Sequence, residues 1–306
     1  MLFVKTSSLG DVVHNCPAVS DAARKIPAAE IDWVVEEPFA PIAAMHPAVH
    51  RVIPVRLRDW RRRWWRSSAW REVAQFREQV AAEHYDAVID TQSLIKSALV
   101  ASCANGPRHG MDRSSAREPL AAAFYLVKHP VPRRLHAVQR NRQLTAAALG
   151  YPLDVELEYG LAAIEPDASA PQRYAVLLTM TSRDDKLWAE ENWIALARAL
   201  GTRIVLPWGS EAERSRAARI AAAVPGAEVP ARMSLPQLAR LFARAQAVVG
   251  VDTGLTHLAA ALGVRTVGVY CGSDPMLTGI YGAAQATNVG ALGRVPDAAE
   301  VLRALA

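Results

Sequence analysis

Residues 247–263 read AVVGVDTGLTHLAAALG, and this stretch decides the fold class. Its first five residues are small or apolar without a break, which predicts a short strand buried on both faces of a sheet. The strand ends at Asp252, and a helix is expected to start within Thr253–Leu255 and to end at Gly263, because glycine commonly closes a helix. A buried strand that runs directly into a helix is the repeating unit of parallel α/β sheets.

The same alternation of strand and helix extends over the whole chain. Apolar runs predict strands at LFVK (2–5), IDWVV (31–35), RVIPV (51–55), YDAVID (85–90), YAVLL (174–178), TRIVLPW (202–208), QAVVGV (246–251) and RTVGVYC (265–271). The segment GLAAIEPDASAPQ (160–172) has two prolines and predicts a linker. We therefore expect two Rossmann-like, doubly wound α/β domains with a cleft between them: residues 1–160, a linker at 161–172, and residues 173–306, which close with a short helix.

Length and composition fit this organisation. The chain has 306 residues, of which 51% are hydrophobic and 21% charged, as expected for two globular domains. We find no apolar run near the ~20 residues that a bilayer span needs, and no signal-peptide pattern at the N-terminus. Three widely spaced cysteines, Cys16, Cys103 and Cys271, favour a reduced cytosolic protein over a disulfide framework or a metal site.

Positive charge is concentrated in one half of the chain. The net charge is +5, and residues 51–142 hold 18 Lys or Arg against 8 Asp or Glu. Residues 161–306 are nearly balanced, with 14 against 13. The first domain is therefore expected to bind an anion.

In the second domain, polar residues follow two of the predicted strands. The first group is the pattern D-T-G-x-x-H, formed by Asp252, Thr253, Gly254 and His257. Backbone N–H groups at a helix start bind anions, so this pattern predicts a phosphate site, with an ordinary capped turn as the alternative. The second group is Thr181, Ser182 and Lys186, which could neutralise a diphosphate or could form a solvated loop.

Two further features of this domain bear on its ligand. Glu213 follows a predicted strand and could accept a hydrogen bond from a ribose hydroxyl, although a surface helix start explains it as well. Asp184 and Asp185 do not form a D-x-D pair, and we predict that no metal is needed.

The N-terminal stretch KTSSLGDVV (5–13) joins a predicted strand to a predicted helix. It has a single glycine, Gly10, and so matches neither the phosphate-binding G-x-x-x-x-G-K-[ST] loop nor the dinucleotide fingerprint. We expect Gly10 to form a turn that lets the backbone approach a ligand, and Asp11 to open the helix. Asp11 is then either a helix-start residue or a general base at the mouth of the cleft.

The stretch RLRDWRRRWWRSSAWR (56–71) combines seven arginines with four tryptophans, Trp60, Trp64, Trp65 and Trp70. Arginine binds phosphate and carboxylate, and tryptophan favours a membrane interface. Nucleic acid and a solvated helix face are the alternatives. Downstream, Arg133, His136 and Arg140 are spaced to share one helix face. Together with Arg117, they predict a polyanionic substrate near Asp11.

Taken together, nine stretches resemble the heptosyltransferase I family, bacterial enzymes that use ADP-heptose and lipopolysaccharide. These stretches are KTSSLGDVVHNCPA (5–18), DWVVEE (32–37), RVIPV (51–55), YDAVIDTQSLIKSA (85–98), GMDRSSAREPLA (110–121), HAVQRNR (136–142), TSRDDKLW (181–188), LPWG (206–209) and VDTGLTHLAAALG (251–263). The resemblance implies the GT-B fold and the inverting transfer of L-glycero-D-manno-heptose from ADP-heptose to Kdo of Kdo-lipid A. It further implies no metal or other cofactor, no nucleic-acid partner, and a cytoplasmic enzyme that lies peripherally on the inner membrane.

The resemblance also implies roles for individual residues. Asp11 resembles the catalytic base, and Lys186 both a catalytic and a donor-binding residue. The remaining donor-binding residues would be Thr181, Ser182, Glu213, Asp252, Thr253, Gly254 and His257. The acceptor-binding residues would be Ser8, Gly10, Arg58, Arg61, Arg62, Arg117, His136 and Arg140. The chain departs from the family at Ser182, where a second threonine is expected, and at Asp59, where a basic residue is common.

Three alternatives remain open from the sequence. Heptosyltransferase II, or another GT-B transferase, would differ in its acceptor. A non-catalytic nucleic-acid-binding protein would use the Arg/Trp stretch, and a sugar-phosphate-binding protein would need no catalytic base.

Overall fold

The computed structural model describes residues 1–161 and 173–305, which belong to two compact units. The boundary falls between Leu161 and Ala162, and we call the two parts unit 1 and unit 2. The predicted linker lies outside the described residues, apart from Leu161.

Unit 1 contains one parallel sheet and the helices that connect its strands. The strands are β1 (Leu2–Val4), β2 (Ile31–Glu36), β3 (Val49–Val55), β4 (Val88–Asp90), β5 (Arg108–Met111) and β6 (Val127–His129). The helices are α1 (Leu9–Val13), α2 (Cys16–Lys25), α3 (Ala40–Ala43), α4 (Leu57–Arg62), α5 (Ser67–Ala81), α6 (Ile95–Ala101) and α7 (Ala137–Leu149), with short 3₁₀ turns at Glu37–Phe39 and Pro119–Phe124. The strand order is β3-β2-β1-β4-β5-β6.

Unit 2 repeats this topology. Its strands are β7 (Tyr174–Leu178), β8 (Arg203–Val205), β9 (Ala227–Glu228), β10 (Ala247–Val251), β11 (Thr266–Tyr270) and β12 (Ala286–Gly290). Its helices are α8 (Glu190–Leu200), α9 (Glu211–Ala222), α10 (Leu235–Ala243), α11 (Gly254–Ala261), α12 (Pro275–Thr278) and the predicted closing helix α13 (Ala298–Ala304), with a 3₁₀ turn at Asp184–Lys186. The order β12-β11-β10-β7-β8-β9 is the same pattern as in unit 1.

The predicted parallel α/β architecture is therefore confirmed. All eight strands predicted from apolar runs are present, whereas β5, β6, β9 and β12 were not predicted. Three of these four lie at the edges of their sheets, where residues are not enclosed on both sides. β6 and β12 contain no buried residue, and β5 (RHGM) contains two polar residues, so none of these three strands has the continuous apolar run of a central strand.

Two glycines after helices adopt a positive φ, and a third allows close packing inside the sheet of unit 2. Gly201 directly follows α8, and Gly263 lies two residues after α11, with φ values of +59° and +77°; the second confirms the helix end predicted at Gly263. Gly250 lies inside β10, where a Cβ atom would stand 2.1 Å from the Thr256 hydroxyl and 3.0 Å from Leu178 Cβ. Its missing side chain lets α11 pack directly on the strand that precedes it.

Each sheet reverses its strand order at one point, and that point locates the candidate sites. In unit 1 the reversal lies between β1 and β4, and in unit 2 between β7 and β10. Ligands of doubly wound sheets bind beyond the carboxyl ends of the strands at such points. The segments that follow these four strands begin at Lys5, Thr91, Thr179 and Asp252.

Candidate functional site

Asp252 organises the site at the switch point of unit 2. Its carboxylate accepts hydrogen bonds from Lys186 Nζ and Ser273 Oγ, each at 2.6 Å, and lies 3.4 Å from His257 Nε2. Asp252 and His257 are buried, and Lys186 is partly buried. The predicted group D-T-G-x-x-H and the predicted Lys186 therefore meet at one place.

The electrostatics of this cluster define what it can bind. Burial by itself would raise the pKa of Asp252, but hydrogen bonds from His257, Lys186 and Ser273 outweigh it and hold that pKa below its ordinary value. An ionised carboxylate repels a diphosphate, so Asp252 is not suited to bind the anion. It is suited to orient the cationic and N–H groups that do so. Lys186 and His257 are the groups suited to the anion itself.

The loop after β7 is placed by contacts within unit 2. Thr181 Oγ1 donates to the backbone oxygen of Asp252 at 2.9 Å, whereas Ser182 is exposed. Trp188 is fully buried, and its Nε1 donates to the backbone oxygen of Pro296 at 2.8 Å. The loop is thus fixed at both ends, and Lys186 lies two residues before the second anchor, Trp188.

The start of α11 lies beside this loop. Thr253 is the N-cap residue and Gly254 the first helical residue, as predicted. The first backbone N–H groups of a helix lack intrahelical partners and carry partial positive charge. Together with Lys186, they form a surface suited to a phosphate group.

Glu213 is the third residue of α9, and its carboxylate accepts a hydrogen bond from Gly209 N at 2.6 Å. This is the helix-start arrangement that the sequence offered as the alternative. A ribose contact for Glu213 stays a prediction.

In unit 1, Asp11 lies in α1, just beyond the carboxyl end of β1. The backbone N–H of Ser8 donates to Asp11 Oδ2 at 2.9 Å, and Arg117 Nη1 lies 3.4 Å from both carboxylate oxygens. Helix α1 begins at Leu9, so the expectation that Gly10 forms the turn before the helix was wrong, whereas the interpretation of Asp11 as a helix-start residue is confirmed, because Asp11 lies in the first turn. Ser8 caps the helix instead, and Asp11 is the third helical residue, whose carboxylate returns to the cap.

Three polar side chains around this loop were not predicted. Lys5 is buried, donates to Thr91 O at 2.9 Å, and has a pKa that burial lowers to about 8. Lys96 Nζ donates to Ser7 Oγ at 2.9 Å, and Gln92 contacts the backbone of the loop. Gln92, like Ser273 in unit 2, closely follows a strand, and that position was the available signal.

The Arg/Trp stretch forms α4, the turn after it and the start of α5. Arg63 forms ion pairs with Asp59 and with Glu72, so the unexpected acid at position 59 has a local partner. The predicted acceptor residues Arg58, Arg61 and Arg62 lie on α4. Within the described part of the chain, none of these three side chains lies within 4 Å of a carboxylate. Trp64, Trp65 and Trp70 are each more than 60% exposed.

The predicted helix face of Arg133, His136 and Arg140 was wrong. Helix α7 begins at Ala137, so Arg133 precedes it and His136 is its buried N-cap residue, whose Nδ1 accepts from Val138 N at 3.2 Å. Arg140 is partly buried and donates to the backbone oxygen of Ser115 at 2.5 Å. Burial, with Arg133 and Arg117 nearby, lowers the pKa of Arg140.

The described residues contain neither a metal-binding cluster nor a helix that could span a membrane. Within residues 1–161 and 173–305, no group of three His, Cys, Asp or Glu side chains is arranged to hold a metal ion. In the same residues, no helix combines the length and the apolar character that crossing a bilayer requires.

Comparison with known proteins supplies the family. The model for glycosyltransferase family 9 (heptosyltransferase) matches residues 73–303. Lipopolysaccharide heptosyltransferase 1 of Escherichia coli K12 is 48% identical over 295 residues, which cover 93% of this chain and 92% of that protein. The protein of the same name from Pseudomonas aeruginosa is 48% identical over 293 residues, covering 93% and 82%.

Solved structures agree with the sequence relatives. E. coli heptosyltransferase WaaC with ADP superposes with a TM-score of 0.92 at 45% identity, covering 99% of this chain and 97% of that one. The same enzyme with ADP-2-deoxy-2-fluoro heptose gives 0.89. E. coli heptosyltransferase II, at 21% identity and 0.78, shares the fold. These matches leave no support for a non-catalytic nucleic-acid-binding or sugar-phosphate-binding protein: the chain is a glycosyltransferase with the GT-B fold, and it belongs to glycosyltransferase family 9, the heptosyltransferases.

Proposed function

We propose that the protein transfers L-glycero-D-manno-heptose from ADP-heptose to Kdo of Kdo-lipid A, a step in building the inner core of lipopolysaccharide. The observation that carries this proposal is the cluster of Lys186, Asp252 and His257 at the switch point of unit 2. It supplies an anion site in a chain that is 45% identical to an enzyme solved with ADP and with a fluorinated ADP-heptose.

Unit 2 holds the donor in this proposal. The diphosphate lies against Lys186 and the N–H groups at Thr253–Leu255, with hydroxyls from Thr181 and Ser182 and the ring of His257 nearby. Asp252 holds Lys186 and His257 in place, and Glu213 contacts the ribose. Because these hydrogen-bonding groups are in place before the reaction, they stabilise the negative charge that develops on the departing ADP.

Unit 1 holds the acceptor and the base. Asp11 takes the proton from the attacking Kdo hydroxyl, and that oxygen forms a bond to the anomeric carbon of heptose. The bond from this carbon to the ADP oxygen breaks, ADP leaves with the electron pair, and the configuration inverts. Ser8, Gly10 and Arg117 lie next to Asp11, and the other acceptor contacts are assigned to Arg58, Arg61, Arg62, His136 and Arg140.

Release of ADP tests the whole assignment. The purified protein is incubated with ADP-heptose and either Kdo-lipid A or an acceptor that already carries the first heptose. We expect ADP release with Kdo-lipid A as the acceptor and not with the heptose-bearing acceptor. This release should persist after treatment with EDTA, because no metal or other cofactor takes part in the proposed reaction. Turnover only with the heptose-bearing acceptor would favour a heptosyltransferase II, and no turnover with either would refute the proposal.

The same proposal places the enzyme peripherally on the cytoplasmic face of the inner membrane, where the acceptor lipid lies. Exposed Trp64, Trp65 and Trp70 stand among arginines on and after α4, a combination suited to anionic lipid surfaces. In a sedimentation assay, vesicles that contain phosphatidylglycerol are expected to carry the protein into the pellet. Vesicles of phosphatidylcholine alone are expected to carry down less of it. Equal retention on both would contradict an electrostatic contact.

A further inference from the structure

One buried side chain holds the loop between β1 and α1, and the proposed mechanism does not use it. Gln92 follows β4 and is 1% exposed. Its Oε1 accepts from the backbone N–H groups of Thr6 at 2.7 Å and of Ser7 at 3.1 Å. Its Nε2 donates to the backbone oxygen of Ser7. A single amide therefore binds both N–H groups and a carbonyl group of the backbone around Ser7. This requires an acceptor and a donor on the same side chain.

Gln92 is fixed in turn by a buried carboxylate beneath it. The backbone N–H of Gln92 donates to Asp90 Oδ1 at 2.8 Å. Asp90 Oδ2 accepts from the Tyr125 hydroxyl at 2.7 Å and from the Ser97 hydroxyl at 2.8 Å. Buried networks in which every member has a partner hold a single geometry. The backbone of Gln92 is therefore anchored through Asp90 to β4, to α6 and to Tyr125, while its side chain bonds to the loop.

The loop that Gln92 holds leads directly to Asp11. Ser8 follows the clamped Ser7, and the backbone N–H of Ser8 donates to Asp11 Oδ2 at 2.9 Å. A shift of the Ser7 peptide therefore displaces the group that orients the carboxylate. Lys96, from α6, adds a hydrogen bond to the Ser7 hydroxyl at 2.9 Å.

We propose that Gln92 is a positioning residue for the catalytic carboxylate, which acts through the backbone of Thr6–Ser8 to set the place of Asp11. Because Gln92 is 1% exposed, the proposal gives it no direct contact with the donor or the acceptor. This inference rests on the proposed function, in which Asp11 is the base. A displacement of about 1 Å in a reacting group is enough to cost on the order of 100-fold in rate. Loss of the Gln92 hydrogen bonds is therefore expected to lower the rate by displacing Asp11.

Two variants remove different parts of the clamp. Gln92→Glu keeps the length and the acceptor oxygen, but it replaces the donor with a second oxygen opposite the Ser7 oxygen. Gln92→Met keeps the length and removes every hydrogen bond of the amide. In both we expect kcat to fall about 10- to 100-fold, while the KM for ADP-heptose and the dissociation constant of ADP stay within about twofold. Gln285→Glu, at an exposed glutamine next to β12, is the matched control and should behave as wild type.

The measurements are steady-state ADP release, ADP titration and circular dichroism at the assay temperature. A kcat within about twofold of wild type in both folded variants would overturn the proposal, as would a loss that appears equally in the KM for ADP-heptose. If both variants are unfolded at the assay temperature, Gln92 serves folding alone and the proposal is also overturned. Wild-type turnover of Asp11→Asn would instead refute the proposed base, which separates the two failures.

Discussion

At the scale of single residues, the role of Asp11 can be tested separately from donor binding. Asp11→Asn keeps the shape of the side chain and its hydrogen bond from Ser8 N but removes the proton acceptor. We expect kcat to fall by at least about 100-fold, while the dissociation constant of ADP is unchanged, because the proposed donor residues all lie in unit 2. ADP release and calorimetric titration check this, with Asp86→Asn at an exposed site as the control. Turnover at the wild-type rate would exclude Asp11 as the base.

Lys186, unlike Asp11, should affect ADP binding as well as turnover. Lys186→Met removes the cation that pairs with Asp252 at 2.6 Å and leaves a buried carboxylate near the diphosphate. We expect ADP affinity to fall about 10- to 100-fold, the cost of losing a charge-assisted hydrogen bond, and turnover to fall as well. Titration with ADP measures this directly, and Lys128→Met, at an exposed position on β6, is the comparison. Unchanged ADP affinity would remove Lys186 from the donor site.

The residues that could be predicted are charged groups that follow a buried strand. Asp252 directly follows β10, and Asp11 and Lys186 lie in the segments after β1 and β7; charged residues beyond an apolar run are conspicuous in the sequence, and the roles of these three stay predictions. Gln92 and Ser273 were missed, because each is a neutral residue whose partner is far away in the chain. The bonds of Gln92 span 85 or 86 positions, and that of Ser273 spans 21.

At the scale of elements, the loop that carries Lys186 packs against the segment after β11. A Cβ atom on Gly272 would stand 2.3 Å from the backbone oxygen of Asp185, so the loop must move if Gly272 gains a side chain. We expect Gly272→Ala to introduce about 1–3 kcal/mol of strain and to weaken ADP binding about tenfold.

Thermal unfolding and ADP titration test this prediction. Gly201→Asn is the control, since Gly201 faces open space and asparagine tolerates its left-handed conformation. ADP affinity equal to wild type in Gly272→Ala would show that the loop accommodates the methyl group without moving Lys186.

Element boundaries were less predictable than the elements themselves. The helix face assigned to Arg133, His136 and Arg140 failed because spacing alone does not locate a helix start. Proline at 130 and at 132 and the capping geometry of His136 place that start at Ala137. Helix α1 likewise begins at Leu9, because Ser8 and Asp11 cap it reciprocally. The turn had been expected at Gly10, since the position of that glycine does not indicate the cap.

At the scale of the whole molecule, buried His46 makes stability depend on pH. Burial lowers the pKa of His46 from 6.5 to about 4, and its Nε2 contacts the Ser20 hydroxyl at 2.9 Å. Between pH 6.5 and 4, the unfolded chain binds more protons at this residue than the folded chain. The free energy of unfolding therefore falls as pH falls through this window, by about 3 kcal/mol at pH 4 from His46, and this residue adds no pH dependence above it.

Chemical denaturation of wild type and His46→Gln across pH 4–7 measures the effect, and the difference between the two curves isolates His46 from other histidines. The variant is expected to show the shallower decline toward low pH. Parallel curves would mean that His46 is protonated equally in the folded and unfolded chain.

The sequence by itself determined the parallel α/β architecture, the two halves of the chain and the charged residues at the strand ends. These features follow from local patterns, since a central strand must be apolar on both faces and ligands gather where such strands end. The tertiary structure decided what these residues contact: Asp252 holds Lys186 and His257, Asp11 accepts a hydrogen bond from Ser8 N, and Gln92 clamps the backbone of Thr6 and Ser7 before α1. Such contacts join residues far apart in the chain, and neutral hydrogen-bonding groups leave no periodic trace in the sequence that would announce them.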